Sequence, residues 1–201
     1  MTVSTHGVSH HESHAHQVAS KVTFGFWIYV MTDAIMFATL FAVYVVLHKN
    51  TFGGPGIREV ASLNHILMQT LVLLSSALTY GLMLVSFYQG NRSGVRLSLL
   101  LTLVLGLIFL GIEWNDGAAL VHQGYSWTKS AFLSSYFTFL GIHGLHILIA
   151  LLWMVILFIQ FGLQGFTQMM QTRFICLSLF WNFLNLMWLV AFTLMFLMGA
   201  I

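Results

Sequence analysis

Charge is what this sequence has least of. Seven Lys and Arg and five Asp and Glu amount to 6% of 201 residues, against a hydrophobic share of 59% and a mean hydropathy of +0.90. A soluble domain carries roughly 25% charged residues, because its surface must be solvated. So few charges cannot cover a water-facing surface, and lipid is the natural solvent for what remains. The net charge of +2, with no basic cluster, argues against nucleic acid as a partner. Cysteine is reduced to Cys176, which rules out an intramolecular disulfide, a thiolate metal cluster and a two-cysteine copper site. Also missing is a secretory leader: residues 1–22 are polar, without an apolar core segment or cleavage site. They hold His6, His10, His11, His14 and His16, a set able to bind a metal loosely, and are expected to form a disordered His-rich tail.

What is present is apolar sequence in long runs. A helix crossing the hydrocarbon needs about 20 such residues at 1.5 Å rise each. Five windows qualify: about Phe24–Leu47, Leu63–Phe87, Val95 to at least Glu113, Ala131–Phe161 and Phe174–Gly199. The fold expected is therefore an all-α membrane protein, with a five-helix transmembrane domain over residues 23–201. Between the windows lie Thr51-Phe-Gly-Gly-Pro-Gly56, which contains the only proline, the polar turn Gln89–Gly94, the mixed stretch Asn115–Ser130 and the connection Gly162–Arg173. Spans one and two are expected to form one bundle and spans three to five another, with a lipid-filled groove between them. Phe24, Trp27 and Tyr44 are candidate lipid contacts there, with helix packing as the alternative for each.

With the N-terminus in the cytoplasm, that side holds Lys21, Arg92, Arg96 and Arg173, and the other holds Lys49, Arg58 and Lys129. The positive-inside bias is weak. The absence of an export signal favours a cytoplasmic N-terminus and a C-terminus on the opposite side. Trp27, Trp114 and Trp127 stand near span ends, where indoles favour the interface. Ser75, Ser76, Thr79 and Gly81 put small residues on the second span and permit close helix approach.

Charges within a span are costly and ask for a reason. Asp33 stands inside the first span, and two readings are open: an interhelical hydrogen-bond partner, or a proton-related group. Glu113 ends the apolar run of the third span and Asp116 follows one turn on, where they mark either the water interface or a site. His143 and His146, at i and i+3 in Gly141-Ile-His-Gly-Leu-His146, share one helix face. They are metal ligands or a packed, hydrogen-bonded element, and the neighbouring Gly141 and Gly144 favour close contact. Gln69, Asn182 and Asn185 also need hydrogen-bond partners. A diheme site needs two pairs of axial histidines on facing helices, and a heme–copper site needs several. Only His143 and His146 lie clearly within a span, so no heme, copper or other metal is expected on this chain.

These motifs resemble subunit III of bacterial heme–copper oxidases, in matching order along nearly the whole chain. Gly25-Phe-Trp-Ile-Tyr-Val-Met-Thr-Asp33 with Leu40-Phe41-Ala42-Val43-Tyr44 resembles that subunit's first helix in the quinol oxidases, and Gly53-Gly54-Pro55 its next loop. Ser75-Ser76 with Thr79-Tyr80-Gly81 resembles its second helix, and Gly111-Ile-Glu113 its third. Ser130-Ala-Phe-Leu-Ser134 and His143-Gly-Leu-His146 resemble its fourth. Cys176-Leu-Ser-Leu-Phe-Trp181 and Leu197-Met-Gly-Ala200 resemble its fifth. The likeness is greatest to the cytochrome bo-type ubiquinol oxidase branch. Gln69 stands where that branch has Glu, and Asn182 and Asn185 stand where the family has His and Asp. After Glu113 the acidic, histidine-rich continuation is replaced by Trp114-Asn-Asp-Gly-Ala-Ala119.

The resemblance implies a non-redox accessory subunit of a proton-pumping terminal oxidase in the bacterial inner membrane. Its partners would be phospholipid, the other oxidase subunits and a catalytic subunit I that carries the heme and copper. It places Asp33 where the family has a buried carboxylate tied to proton handling or stability. Within the family the alternatives are subunit III of a cytochrome c oxidase and an accessory protein linked to nitric oxide reductase. Outside it, the alternative is an independent small transporter, against which stand the few polar residues and the lack of repeats or paired helix breaks.

Overall fold

The computed structural model describes residues 6–51 and 63–200. They form five helices: α1 (His6–Leu47), α2 (Leu63–Tyr88), α3 (Arg92–His122), α4 (Ala131–Gln164) and α5 (Gln168–Ala200). Each has a stretch long and apolar enough to cross a membrane: Ala19–Leu47, Asn64–Tyr88, Arg92–His122, Ala131–Gln164 and Gln168–Leu194. The chain is thus an all-α, five-span membrane protein. Helical backbone begins at His6, within the stretch expected to be a tail, and the boundary expected at residue 23 falls inside α1. Most of the expected Thr51–Gly56 loop, Pro55 included, lies outside the described residues, as does Arg58.

Two connections are shorter than their composition suggests. α3 runs two turns past Glu113, to His122, because Leu120 turns into the core and Asp116 finds partners on α2. α4 continues to Gln164 and α5 starts at Gln168, leaving a tight turn at Gly165, whose φ of 68° suits glycine. A β-carbon at Gly165 would also stand 2.8 Å from Arg92 Nη2. Two helix starts carry side-chain caps. Asn91 Oδ1 accepts from Gly94 N at the head of α3, and Ser130 Oγ accepts from Leu133 N at the head of α4.

α5 packs on α1, α2 and α4, and α4 likewise on α1, α3 and α5, while α2 pairs with α3. α1 and α2 do not form one of the extensive pairings, so the packing does not divide into spans one and two against spans three to five. Lipid tails are as apolar as Leu, so association inside a membrane rests on close packing and interhelical hydrogen bonds, each worth roughly 0.6–2 kcal/mol. α5 supplies both. Trp181 and Trp188 donate their indole N–H groups to Ser76 Oγ (3.2 Å) and Thr70 Oγ1 (3.1 Å) of α2. Tyr80 of α2 donates in turn to the Phe174 carbonyl at 2.9 Å. Thr79 and Thr102 bond at 2.8 Å between α2 and α3. Gly81, among the small residues expected to allow close approach, has nothing near it. The closest approach is at Gly106, where a β-carbon would stand 2.6 Å from Leu151 Cδ2 and 3.0 Å from the Trp181 ring.

Candidate functional site

The polar residues of the spans are brought together in pairs. α4 runs between α3 and α1, and its two histidines, one helical turn apart, reach in both directions. His143 faces Glu113 of α3, Nδ1 to Oε1, at 3.7 Å. His146 faces Asp33 of α1, Nε2 to Oδ2, also at 3.7 Å. Both carboxylates and His143 are buried. Phe37 packs its ring against both imidazoles, and Phe109 and Trp188 close around His143. The Glu113 carboxyl lies over Gly144, where a β-carbon would stand 3.2 Å from Oε2. Gly144 thus serves the close contact expected of it. Gly141 does not: nothing lies within 4 Å of its β-position.

The far side of each ring fixes its chemistry. His146 Nδ1 is 2.7 Å from the Ile142 carbonyl, and His143 Nε2 is 3.4 Å from the Leu184 carbonyl. A carbonyl only accepts, so these nitrogens carry the hydrogens. In a neutral ring the other nitrogen would aim a lone pair at a carboxylate. Two acceptors face each other favourably only if a proton lies between them, on the acid or on the ring. At 3.7 Å neither pair closes a direct hydrogen bond between ring and acid. Asp33 Oδ2, both Glu113 oxygens and His143 Nδ1 make no hydrogen bond within the standard distance.

A third pair sits toward the end of α3. Asp116 accepts from Gln69 Nε2 at 2.6 Å and approaches His65 Nε2 at 3.0 Å, joining α3 to α2. In the sequence Gln69 stood without an evident partner, and His65 did not stand out at all. Their spacing of four residues, which puts them on one face of α2, was the available signal.

The pairs share one half of the membrane. Asp33 is fourteen residues from either end of its span, at the midpoint. His143, Glu113, Asp116 and His65 all lie from there toward the α1 C-terminal end. Among the described residues of the spans, no carboxylate or imidazole lies in the other half. No three His, Cys, Asp or Glu side chains among the described residues gather as a metal site.

Of the candidate lipid contacts, Phe24 and Trp27 are exposed, at 68% and 46%. Tyr44 is not: it is 2% exposed and packs against Phe132 of α4. Its place on the inward face of α1, in register with Phe37, makes it a packing residue. Trp114 and Trp127 are exposed near the α3 C-terminal end, as their position at the span edges suggests. Asn185 is buried and bonds its amide to the Trp181 carbonyl, while Asn182 is exposed and bonds only within α5.

Fold and site together define a multi-pass helical membrane protein whose buried acids and imidazoles are paired between helices. The description of cytochrome c oxidase subunit III matches residues 3–200, and the chain belongs to that family. It is 43% identical to the cytochrome bo(3) ubiquinol oxidase subunit 3 of Pseudomonas aeruginosa, over 98% of this chain and 94% of the relative. It is 37% identical to the quinol oxidase subunit 3 of Bacillus spizizenii, over 87% of this chain and 86% of the relative. It is 34% identical to the cytochrome c oxidase subunit 3 of Bacillus sp. strain PS3, over 88% and 86%.

Proposed function

We propose that this chain is the third subunit of a quinol-oxidising, proton-pumping terminal oxidase of the bacterial inner membrane. The observation that carries the reading is the match, over 98% of the chain, to a subunit 3 named for ubiquinol oxidase. The more similar relatives carry ubiquinol or quinol oxidase names, which favours a quinol as donor over cytochrome c. The chain contributes no redox centre. Heme and copper belong to the catalytic subunit, and this bundle packs beside it, contacts phospholipid through exposed residues such as Phe24 and Trp27, and supports stable turnover. Asp33, Glu113, His143 and His146 tie α1 and α3 to α4. The N-terminus lies in the cytoplasm and Ile201 on the periplasmic side.

Purification from native membranes through a tag on this chain tests the reading. Heme-bearing partners should co-purify, and the isolated chain should show no heme absorbance. A complex without it should still reduce oxygen at first and lose activity faster during turnover. A chain that purifies without heme-bearing partners overturns the reading.

A further inference from the structure

α5 is covered by α1, α2 and α4 and bare on its remaining side. Trp181 and Trp188 bond to α2, Phe180 and Phe183 pack on Phe26 and Phe37 of α1, and the Leu184 carbonyl lies at His143 of α4. By helical period the positions left over are those of Ser178, Asn182 and Leu186, between the α2 side and the α1 side. α1 and α2 form none of the extensive helix pairings and do not close over this face. Asn182 and Leu186 are exposed, Leu186 at 54%. Asn182 stands fourteen residues from Gln168 and twelve from Leu194, at mid-depth of its span. Its amide nitrogen donates to the Ser178 carbonyl at 2.9 Å and to Ser178 Oγ at 3.2 Å. A carbonyl only accepts, so the nitrogen is the atom held by the helix, and the amide oxygen is the one left over. Among the described residues none donates to that oxygen.

We propose that this face of α5 docks a transmembrane helix of another subunit, which presents a hydrogen-bond donor to the Asn182 oxygen. The proposal rests on the oxidase reading, which supplies the complex that the helix belongs to. Depth selects the occupant. The hydrocarbon core is about 30 Å thick, so Asn182 is roughly 15 Å from either water interface. Acyl chains hold no donor, and a phospholipid keeps its ammonium or hydroxyl groups at the interface. At mid-depth the donors are side chains of neighbouring helices, and α2, α3 and α5 hold one another in this way. A second copy of this chain fits poorly. In a two-fold pair about the membrane normal, Asn182 meets Asn182 at one depth. Both amide hydrogens of each are already committed to Ser178, so acceptor would face acceptor. The Ser178 hydroxyl of either copy would stand one turn, about 6 Å, away in depth.

The test uses the complex purified through a tag on this chain, with p-benzoylphenylalanine in place of Leu186, one turn from Asn182. Irradiation should join this chain to another subunit of the oxidase, identified by mass spectrometry of the cross-linked band. Asn182→Leu and Asn182→Gln are then compared with the parent. The Asn182 side chain bonds only within α5, so neither change disturbs the packing of the bundle. Leucine offers the incoming donor nothing. It should lower both the cross-link yield and the retention of that subunit during detergent washing, by about three- to tenfold. Glutamine keeps a carbonyl near this depth and should recover most of both. A cross-link to lipid alone, to a quinone alone or to a second copy of this chain overturns the proposal. So does a leucine variant that retains the subunit as the parent does. If heme co-purifies and the probe at position 186 reaches only lipid, this proposal fails and the oxidase reading stands. If no heme co-purifies, the oxidase reading fails and this proposal falls with it.

Discussion

His146 is held from two sides, by a carbonyl that accepts its Nδ1 hydrogen and by Asp33 opposite Nε2. Asparagine at position 33 keeps the shape and can donate an amide hydrogen to the Nε2 lone pair. Leucine leaves that half-buried nitrogen without a polar partner on α1. A buried polar group without its partner costs about 1–3 kcal/mol. Asp33→Asn should therefore assemble like the parent, and Asp33→Leu should lose the subunit from the complex at lower temperature in a detergent melt. The alternative role, proton exchange, gives the opposite pattern: both variants would slow turnover at high pH, where proton supply limits. A leucine variant matching the parent in both assays removes both roles. Tyr44 illustrates how far sequence reaches at this scale. Its position in a resembling motif is visible, but which side of α1 it occupies depends on α4, and nothing local encodes that.

Among the elements, α4 and α5 each pack on three others, and α5 does so through aromatic donors and one missing side chain. Gly106 lets α3 come close to Trp181 and Leu151. Gly106→Ala puts a methyl group 2.6 Å from Leu151 Cδ2, inside contact distance, and overpacking of this kind costs about 1–3 kcal/mol. Thermal loss of the subunit should shift down, and the pairing Leu151→Ala should recover part of the loss. Gly81→Ala, with nothing within 4 Å of its β-position, should change little. The five spans were legible because apolar run length is set by membrane thickness alone. Helix pairing was not legible, and the expected two-plus-three grouping reflects that. Long apolar helices carry hydrophobic residues all round, so their inward faces cannot be read from periodicity. The acid–imidazole pairs were half legible: each residue stood out as costly in lipid, but its partner sits on another helix. His143 and Glu113 are 30 residues apart, and His146 and Asp33 are 113 apart.

For the molecule as a whole, an odd number of spans puts the two ends of the chain on opposite sides. Reporter fusions after Gly90, in the turn between α2 and α3, and after Gly124, just past α3, should report opposite compartments. Finding both in one compartment would remove α3 as a span. The cytoplasmic placement of the N-terminus is the finer expectation, and the fusion after Gly90 reads it directly by activity on the cytoplasmic side.

The one-sided placement of the acids and imidazoles leaves half of the bundle's thickness, among the described residues, without a carboxylate or imidazole for a proton to rest on. Beyond Asp33 the buried residues are apolar or hydroxyl-bearing, among them Phe174 and Leu177 of α5, Met83 and Tyr80 of α2, Leu99 and Thr102 of α3 and Met154 of α4. Among the described residues, no acid or imidazole beyond Asp33 offers a proton a further step toward the other side. Vesicles holding the inhibited complex should keep an imposed pH gradient as long as protein-free vesicles do, whichever residue stands at position 33.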